Sequence, residues 1–330
     1  MASPAPTLDG RLLCAADCTY FIHGSAFNPD DAQPYFDGAG WEGTPQVIVG
    51  GIDQINACLI GNTQDGTVLA FRGTLPPSIH NIASLIDWME DFNAMPEAVS
   101  GLPSTVKVHT GFWSDLMTIW GQIANAIQGR TPLYITGHSK GGALASLSAL
   151  AFAEAFQGAT KIIAAAVHTF ASPRTGDTGF ATLYSQLFPT NAVRWEYQDD
   201  LVPHLPPTAL FIDILSELPI VGKYFRNWTT WDYTSVGSLH FINWSGQIVG
   251  DSFTLEVERM AHMAELVFEG KLSVIASDHS AQCGSGYMTA IAPTGVCPVA
   301  TRQLMASILA SRPELMASGA ECTRGLGTPA

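Results

Sequence analysis

A chain of 330 residues with 47% hydrophobic and only 13% charged side chains can bury a substantial core, which excludes a disordered polymer. Its 29 acidic residues outweigh 15 basic ones for a formal net charge of -14; such a surface repels phosphate, which excludes a nucleic-acid partner and leaves an uncharged, weakly polar substrate as the better fit. No window reaches the roughly 18 continuous apolar residues of a transmembrane span, because Glu154, Asp213 and Glu217 interrupt the richest stretches. Met1 to Gly10 has neither the basic start nor the apolar run of a signal peptide, which suits a cytosolic protein or a mature chain already relieved of its signal.

Along the chain, strand-like runs alternate with helical periodicity and no linker intervenes, which predicts one α/β domain over residues 1–330. Ile52 to Ile60 and Thr67 to Phe71 flank Asn62-Thr63-Gln64-Asp65-Gly66, a hairpin signal. From Ser78 to Phe92 the apolar residues Ile79, Ile82, Leu85, Ile86, Met89 and Phe92 recur at helical spacing, as either a mobile amphipathic cover or a fixed core helix. Leu133 to Thr136 reads as a short buried strand, and Ala143 to Phe156 as a small-residue helix packed on the sheet. Further strands are expected in Lys161 to Phe170 and Ala192 to Tyr197. Ala209 to Val221 is an apolar segment that suits an acyl site or the core, and Thr254 to Phe268 is an amphipathic helix.

Between the expected strand at Leu133 and its helix stands Gly137-His138-Ser139-Lys140-Gly141, a G-x-S-x-G serine in the context that a nucleophile needs. A serine hydroxyl is a weak nucleophile, so an enzyme presents it on a sharp turn within reach of a histidine and an anion-stabilising cradle. In open α/β sheets chemistry gathers beyond the carboxyl ends of the strands, so Phe71-Arg72-Gly73-Thr74, Ser139 and Gln198-Asp199-Asp200 are expected on one rim. Four histidines follow Asp200 as candidate bases. His204 lies too near Asp200 along the chain, His262 falls inside a helical pattern, His240 reads as a partly buried structural residue, and His279 follows the last long helix in a short polar segment.

Six ordered motifs then resemble the class 3 lipases, the α/β-hydrolase family of fungal triacylglycerol lipases and related esterases. They are Phe71-Arg72-Gly73-Thr74, Val108-His109-Thr110-Gly111-Phe112, Gly137-His138-Ser139-Lys140-Gly141-Gly142, Phe170-Ala171-Ser172-Pro173-Arg174, Asp200-Leu201-Val202-Pro203 and Asp278-His279-Ser280. The resemblance covers roughly residues 45–280. It implies an α/β-hydrolase fold with a mostly parallel central sheet flanked by helices, a helical lid at Ile79, Ile82, Leu85, Ile86 and Met89, and no cofactor or metal. It implies Ser139 as nucleophile, His279 as base and Asp200 as the acid that orients it, with Asp199 left solvated or as a helper. The backbone N–H groups of Thr74 and Lys140 would form the oxyanion hole, while the side chains of His138 and Lys140 would be packing and surface groups.

The implied activity is hydrolysis of acylglycerols or other apolar esters at a lipid–water interface. A feruloyl-type esterase is the nearest alternative, and a non-catalytic lipid-binding relative is the alternative from another class. The chain departs from the family pattern in an extension over residues 281–330, with an amphipathic stretch around Leu304 to Leu315. Three of the six cysteines (Cys14, Cys18, Cys58, Cys283, Cys297, Cys322) fall in it, and a bond to Cys14 or Cys18 would let it wrap the domain, although the connectivity stays open. The even cysteine count and the sequons Asn227-Trp228-Thr229 and Asn243-Trp244-Ser245 predict a secreted, oxidising setting.

Overall fold

The computed structural model describes residues 7–74, 86, 89–292 and 296–297. Eight strands form one sheet whose spatial order follows the chain: β1 (Gln46–Gly50), β2 (Asn56–Thr63), β3 (Gly66–Phe71), β4 (Leu133–His138), β5 (Ala166–Phe170), β6 (Ala192–Tyr197), β7 (Ser238–Ile242) and β8 (Ile248–Val249). β3 to β7 run parallel, while β1, β2 and β8 close the edges in antiparallel fashion. The expected hairpin is present, with Thr63 paired to Gly66 across the turn; Ile52 to Gln54 forms a short 3-10 turn instead of opening the strand.

Helices cover both faces because alternate strand residues feed two separate cores. Cys58, Ile60, Leu69 and Phe71 point into the larger core, with Leu133 and Ile135 of β4. That face is covered by α3 (Thr110–Met117), α4 (Trp120–Ile127), α5 (Lys140–Ala153) and α6 (Thr178–Leu187). Ala57, Leu59, Val68 and Ala70 point the other way, against α1 (Leu8–Cys18) and α2 (Tyr35–Ala39). α5 is buried along its whole length, which is why its sequence is Ala, Leu and Ser rather than amphipathic. α7 (Ala209–Ser216) puts Phe211, Ile212 and Leu215 into the larger core, while Leu210 and Ile220 of the same apolar segment are exposed.

Five residues were expected to form the apolar face of a lid. Ile79, Ile82 and Leu85 lie outside the described residues. Ile86 is partly buried against the larger core and Met89 is buried within it.

The long α8 (Phe253–Glu269), followed by α9 (Leu272–Asp278), brings His279 back to the sheet. α8 is tied down by charge as well as packing. Glu196 on β6 accepts from Arg259 Nη2 at 2.5 Å and from Arg194 Nε at 2.9 Å, and the Arg259 guanidinium lies 4.3 Å from the centre of the Phe241 ring. Glu196 and Arg259 are both buried, so neutralising Glu196 leaves the buried Arg259 charge only the longer pairing with Glu256 at 3.7 Å. Glu196→Gln should therefore cost about 3 to 5 kcal/mol in urea unfolding. A loss below about 1 kcal/mol would mean that solvent reaches this pair.

Candidate active site

β4 carries the chain into Gly137-His138-Ser139 and α5 leads it away, so Ser139 occupies the junction. Its backbone sits at φ 58°, ψ -132°, a conformation that L-residues adopt only under constraint. The constraint is visible in the glycines. A Cβ at Gly137 would come within 2.2 Å of the Gly141 carbonyl oxygen, and one at Gly141 within 2.3 Å of the Phe71 carbonyl oxygen. Backbone therefore packs on backbone, and the Ser139 N–H is held by the Phe170 carbonyl at 2.9 Å.

The structure brings Ser139, His279 and Asp200 together. His279 Nε2 lies 2.8 Å from Ser139 Oγ and His279 Nδ1 lies 3.0 Å from Asp200 Oδ1. The carboxylate accepts at Nδ1–H, which leaves Nε2 as the acceptor of the serine proton. All three side chains are buried, with Asp200 and His279 at 0% exposure. Asp200 Oδ1 also accepts from the Val202 N–H at 3.0 Å, so Leu201-Val202 in the Asp200-Leu201-Val202-Pro203 motif folds back to hold the acid. From Phe170-Ala171-Ser172-Pro173-Arg174, buried Arg174 donates to the carbonyls of His204 and Pro206 at 2.6 and 2.9 Å, which fixes the loop that follows Asp200.

Of the two residues expected to form the oxyanion hole, Lys140 opens α5 directly after the N-cap Ser139, at the positive end of the helix dipole. Half-buried Thr74 follows Gly73, and a Cβ at Gly73 would sit 2.6 Å from the His138 carbonyl and 3.1 Å from Ser139 Cβ, so this turn lies directly on the elbow. Arg72 anchors the turn from behind by donating to the Ile22, Gln54 and Ile55 carbonyls.

Several side chains depart from their expected places. Lys140 is a buried group, its Nζ donating to Asn56 Oδ1 at 2.8 Å and Asp115 Oδ2 at 3.1 Å under the sheet edge. His138 bridges Tyr20 Oη (2.7 Å) and the His279 carbonyl (2.8 Å). With Nε2–H donating to that carbonyl, Nδ1 accepts from the phenol. Burial, reinforced by the neighbouring His279, holds His138 well below the usual histidine range, in keeping with this neutral tautomer. Beside it lies a cavity of about 360 Å³ lined by Asp17, Tyr20, His138, His279 and Gln282.

Asp199, expected to be solvated or a helper, is 3% exposed and pairs with His262 Nδ1 at 2.6 Å and with the Trp244 indole N–H at 3.2 Å. His262 is thus committed to the wrong carboxylate to serve Ser139. His240 lies on β7 with its ring edge-on to Trp195, and His204 is buried among Arg174, Arg259 and Glu256. Tyr287, which no motif marked, donates its hydroxyl to Asp200 Oδ2 at 2.8 Å. Among the described residues no group of three or more His, Cys, Asp or Glu is placed to hold a metal ion.

A parallel sheet that presents a serine on a strand-to-helix elbow, with acid and histidine arriving later in the chain, defines an α/β-hydrolase fold. Residues 68–210 match the family model described as lipase (class 3). It is 26% identical over 155 residues to secreted mono- and diacylglycerol lipase 3 of Gibberella zeae, a match covering 44% of this chain and 46% of that protein. To the lipase of Rhizomucor miehei it is 29% identical over 156 residues, 45% of this chain and 40% of the relative. The chain thus spans less than half the length of either relative. The solved Rhizomucor miehei lipase propeptide complex superposes with a TM-score of 0.53 at 19% identity, covering 73% of this chain and 69% of that one, which is a likeness of fold.

One titration follows from this geometry. Burial, with repulsion from Asp199 and Asp200, pushes the Asp278 carboxyl up to about 7, although the Asp199 N–H bond to it pulls the other way. A raised carboxyl favours the fold in its neutral form, and that contribution fades as pH climbs through about 7. Asp278→Asn keeps an acceptor for the Asp199 N–H and cannot ionise, so its melting temperature should rise relative to wild type between about pH 5 and about pH 8.5. Parallel melting curves for the two proteins would show that Asp278 titrates as an ordinary surface acid.

Proposed function

We propose that this chain is a serine carboxylic ester hydrolase that acts on acylglycerols or other apolar esters at a lipid–water interface. The observation that carries the reading is the continuous hydrogen-bonded relay from Ser139 Oγ through His279 to Asp200, set on a serine held at positive φ. Ser139 Oγ attacks the ester carbonyl as His279 Nε2 takes its proton. Asp200 holds the imidazole in the required tautomer and stabilises the imidazolium. The N–H groups of Lys140 and Thr74 receive the developing oxyanion, His279 returns the proton to the leaving alcohol, and water then releases the acyl group by the reverse path. The names of the lipase relatives support acylglycerols as the substrate class.

Residues 1–330 would act as one domain, with the described residues after 280 packed on the body. An extracellular setting is favoured by the Cys283–Cys297 disulfide and by the relative named as secreted. Among the described residues no helix is long and apolar enough to cross a membrane.

Turnover on p-nitrophenyl esters, emulsified triglyceride and methyl ferulate tests the reading, with triglyceride and the longer aliphatic esters expected to be preferred. Ser139→Ala and His279→Ala should each lower kcat by about 10⁴-fold or more, and Asp200→Asn by about 10⁴-fold, with little further loss on combination. Asp199→Asn should be much milder, because its partner is His262. Turnover surviving in His279→Ala would overturn the reading, and preference for methyl ferulate would replace the substrate class.

A further inference from the structure

We infer that Tyr287 is a positioning residue for the catalytic acid, and that the segment closed by the Cys283–Cys297 disulfide delivers its hydroxyl to Asp200. The inference rests on the proposed roles of Ser139, His279 and Asp200.

A buried carboxylate needs donors for both oxygens. Asp200 Oδ1 is taken by His279 Nδ1–H and the Val202 N–H; Oδ2 receives the Tyr287 hydroxyl. The direction of that bond is fixed. Tyr287 Oη itself accepts from the Tyr197 N–H at 2.9 Å, so one lone pair is occupied and the phenolic proton points at the carboxylate. Burial and the neighbouring Asp200 charge push the phenol well up, so it stays a donor. With both oxygens pinned, the carboxylate plane cannot rotate away from the imidazole.

The residues around Tyr287 show how it is held. It sits at the start of α10 (Gly286–Ile291), a helix of 6 residues, too short to persist alone. Gly286 lets the helix press flat on the end of β6, since a Cβ there would lie 2.0 Å from the Tyr197 ring. Tyr35 of α2 accepts the Cys283 N–H at 2.8 Å through its hydroxyl oxygen. Met288, Ile291 and Val296 join the core cluster built by α1 and α2, and a Cβ on Gly38 would come within 3.0 Å of Val296 Cγ1. The disulfide joins residues 14 apart and so encloses the whole helix. A cross-link of this kind limits how far an enclosed segment can leave its seat.

Tyr287→Phe keeps the ring and removes only the donor. In protein that melts like wild type and whose Ser139 is still fully titrated by a fluorophosphonate, kcat should fall about tenfold to a hundredfold with KM nearly unchanged. The acid limb of the kcat/KM profile should move to higher pH, because a carboxylate with one donor fewer binds the imidazolium more strongly. A merely structural tyrosine would lower the titratable fraction and leave the limb where it is. Cys283→Ser combined with Cys297→Ser should reproduce both effects and add little to Tyr287→Phe, since all three changes would act through one bond. An unchanged kcat and limb in Tyr287→Phe, alongside an inactive His279→Ala, would overturn the inference while leaving the triad intact. Additive losses would show that the disulfide acts elsewhere, which overturns its part. An active His279→Ala would instead remove the triad on which the inference stands.

Discussion

The close backbone contact at the elbow is the constraint on which the site depends. Ser139 holds positive φ where Gly137 meets the Gly141 carbonyl and Gly141 meets the Phe71 carbonyl backbone to backbone, and where Gly142 leaves room for the Ser172 side chain. Those contacts set the distance between β3, β4 and the loop after β5. They therefore also place the Gly73-Thr74 turn and the first N–H groups of α5 around one point in space. Strain at one residue is sustained by packing that runs through three strands and a fully buried helix.

Around this elbow the molecule spends much of its buried polarity on holding a few atoms still. His138 clamps the His279 carbonyl, so the residue before Ser139 positions the backbone of His279. Tyr20 holds His138 in turn. On the acid side, Asp199 and Asp200 are neighbours that face different partners: one joins His262 and Trp244, the other His279, Val202 and Tyr287. Glu196 and Arg259 then fasten α8, the helix that carries His262 and leads to His279, onto the sheet. His138, Asp199, Asp200, Glu196 and Arg259 are buried and each meets a hydrogen-bond partner, which limits the desolvation penalty and makes the geometry hard to relax.

The sequence made legible those parts of this arrangement that depend on neighbours along the chain. The elbow was readable because glycine spacing, an apolar strand and a small-residue helix are local signals, and β2, β3, β4 and β6 followed from alternation and turn chemistry. Asp200 and His279 needed the family resemblance, since nothing in their spacing says that residues 79 apart meet. What was misjudged involves long-range partners. Lys140 looked like a surface lysine until Asn56 and Asp115 were seen to receive it, and Asp199 looked solvated because His262 lies 63 residues away. Tyr287 follows every motif and carries no mark of its own. The described part of the extension closes Cys283 on Cys297 and packs against α1 and α2, while Cys14 and Cys18, left open as partners for it, are free and buried, as is Cys58.

The central claim is that Ser139 is a nucleophile activated by His279, and covalent capture addresses it without any choice of substrate. Intact protein treated with a fluorophosphonate and digested for mass spectrometry should carry a single adduct, on the peptide that contains Ser139. Ser139→Ala should abolish the adduct and His279→Ala should slow its formation by orders of magnitude, because the hydroxyl then lacks its base. An adduct on another residue, or labelling of Ser139 at the same rate without His279, would contradict the account.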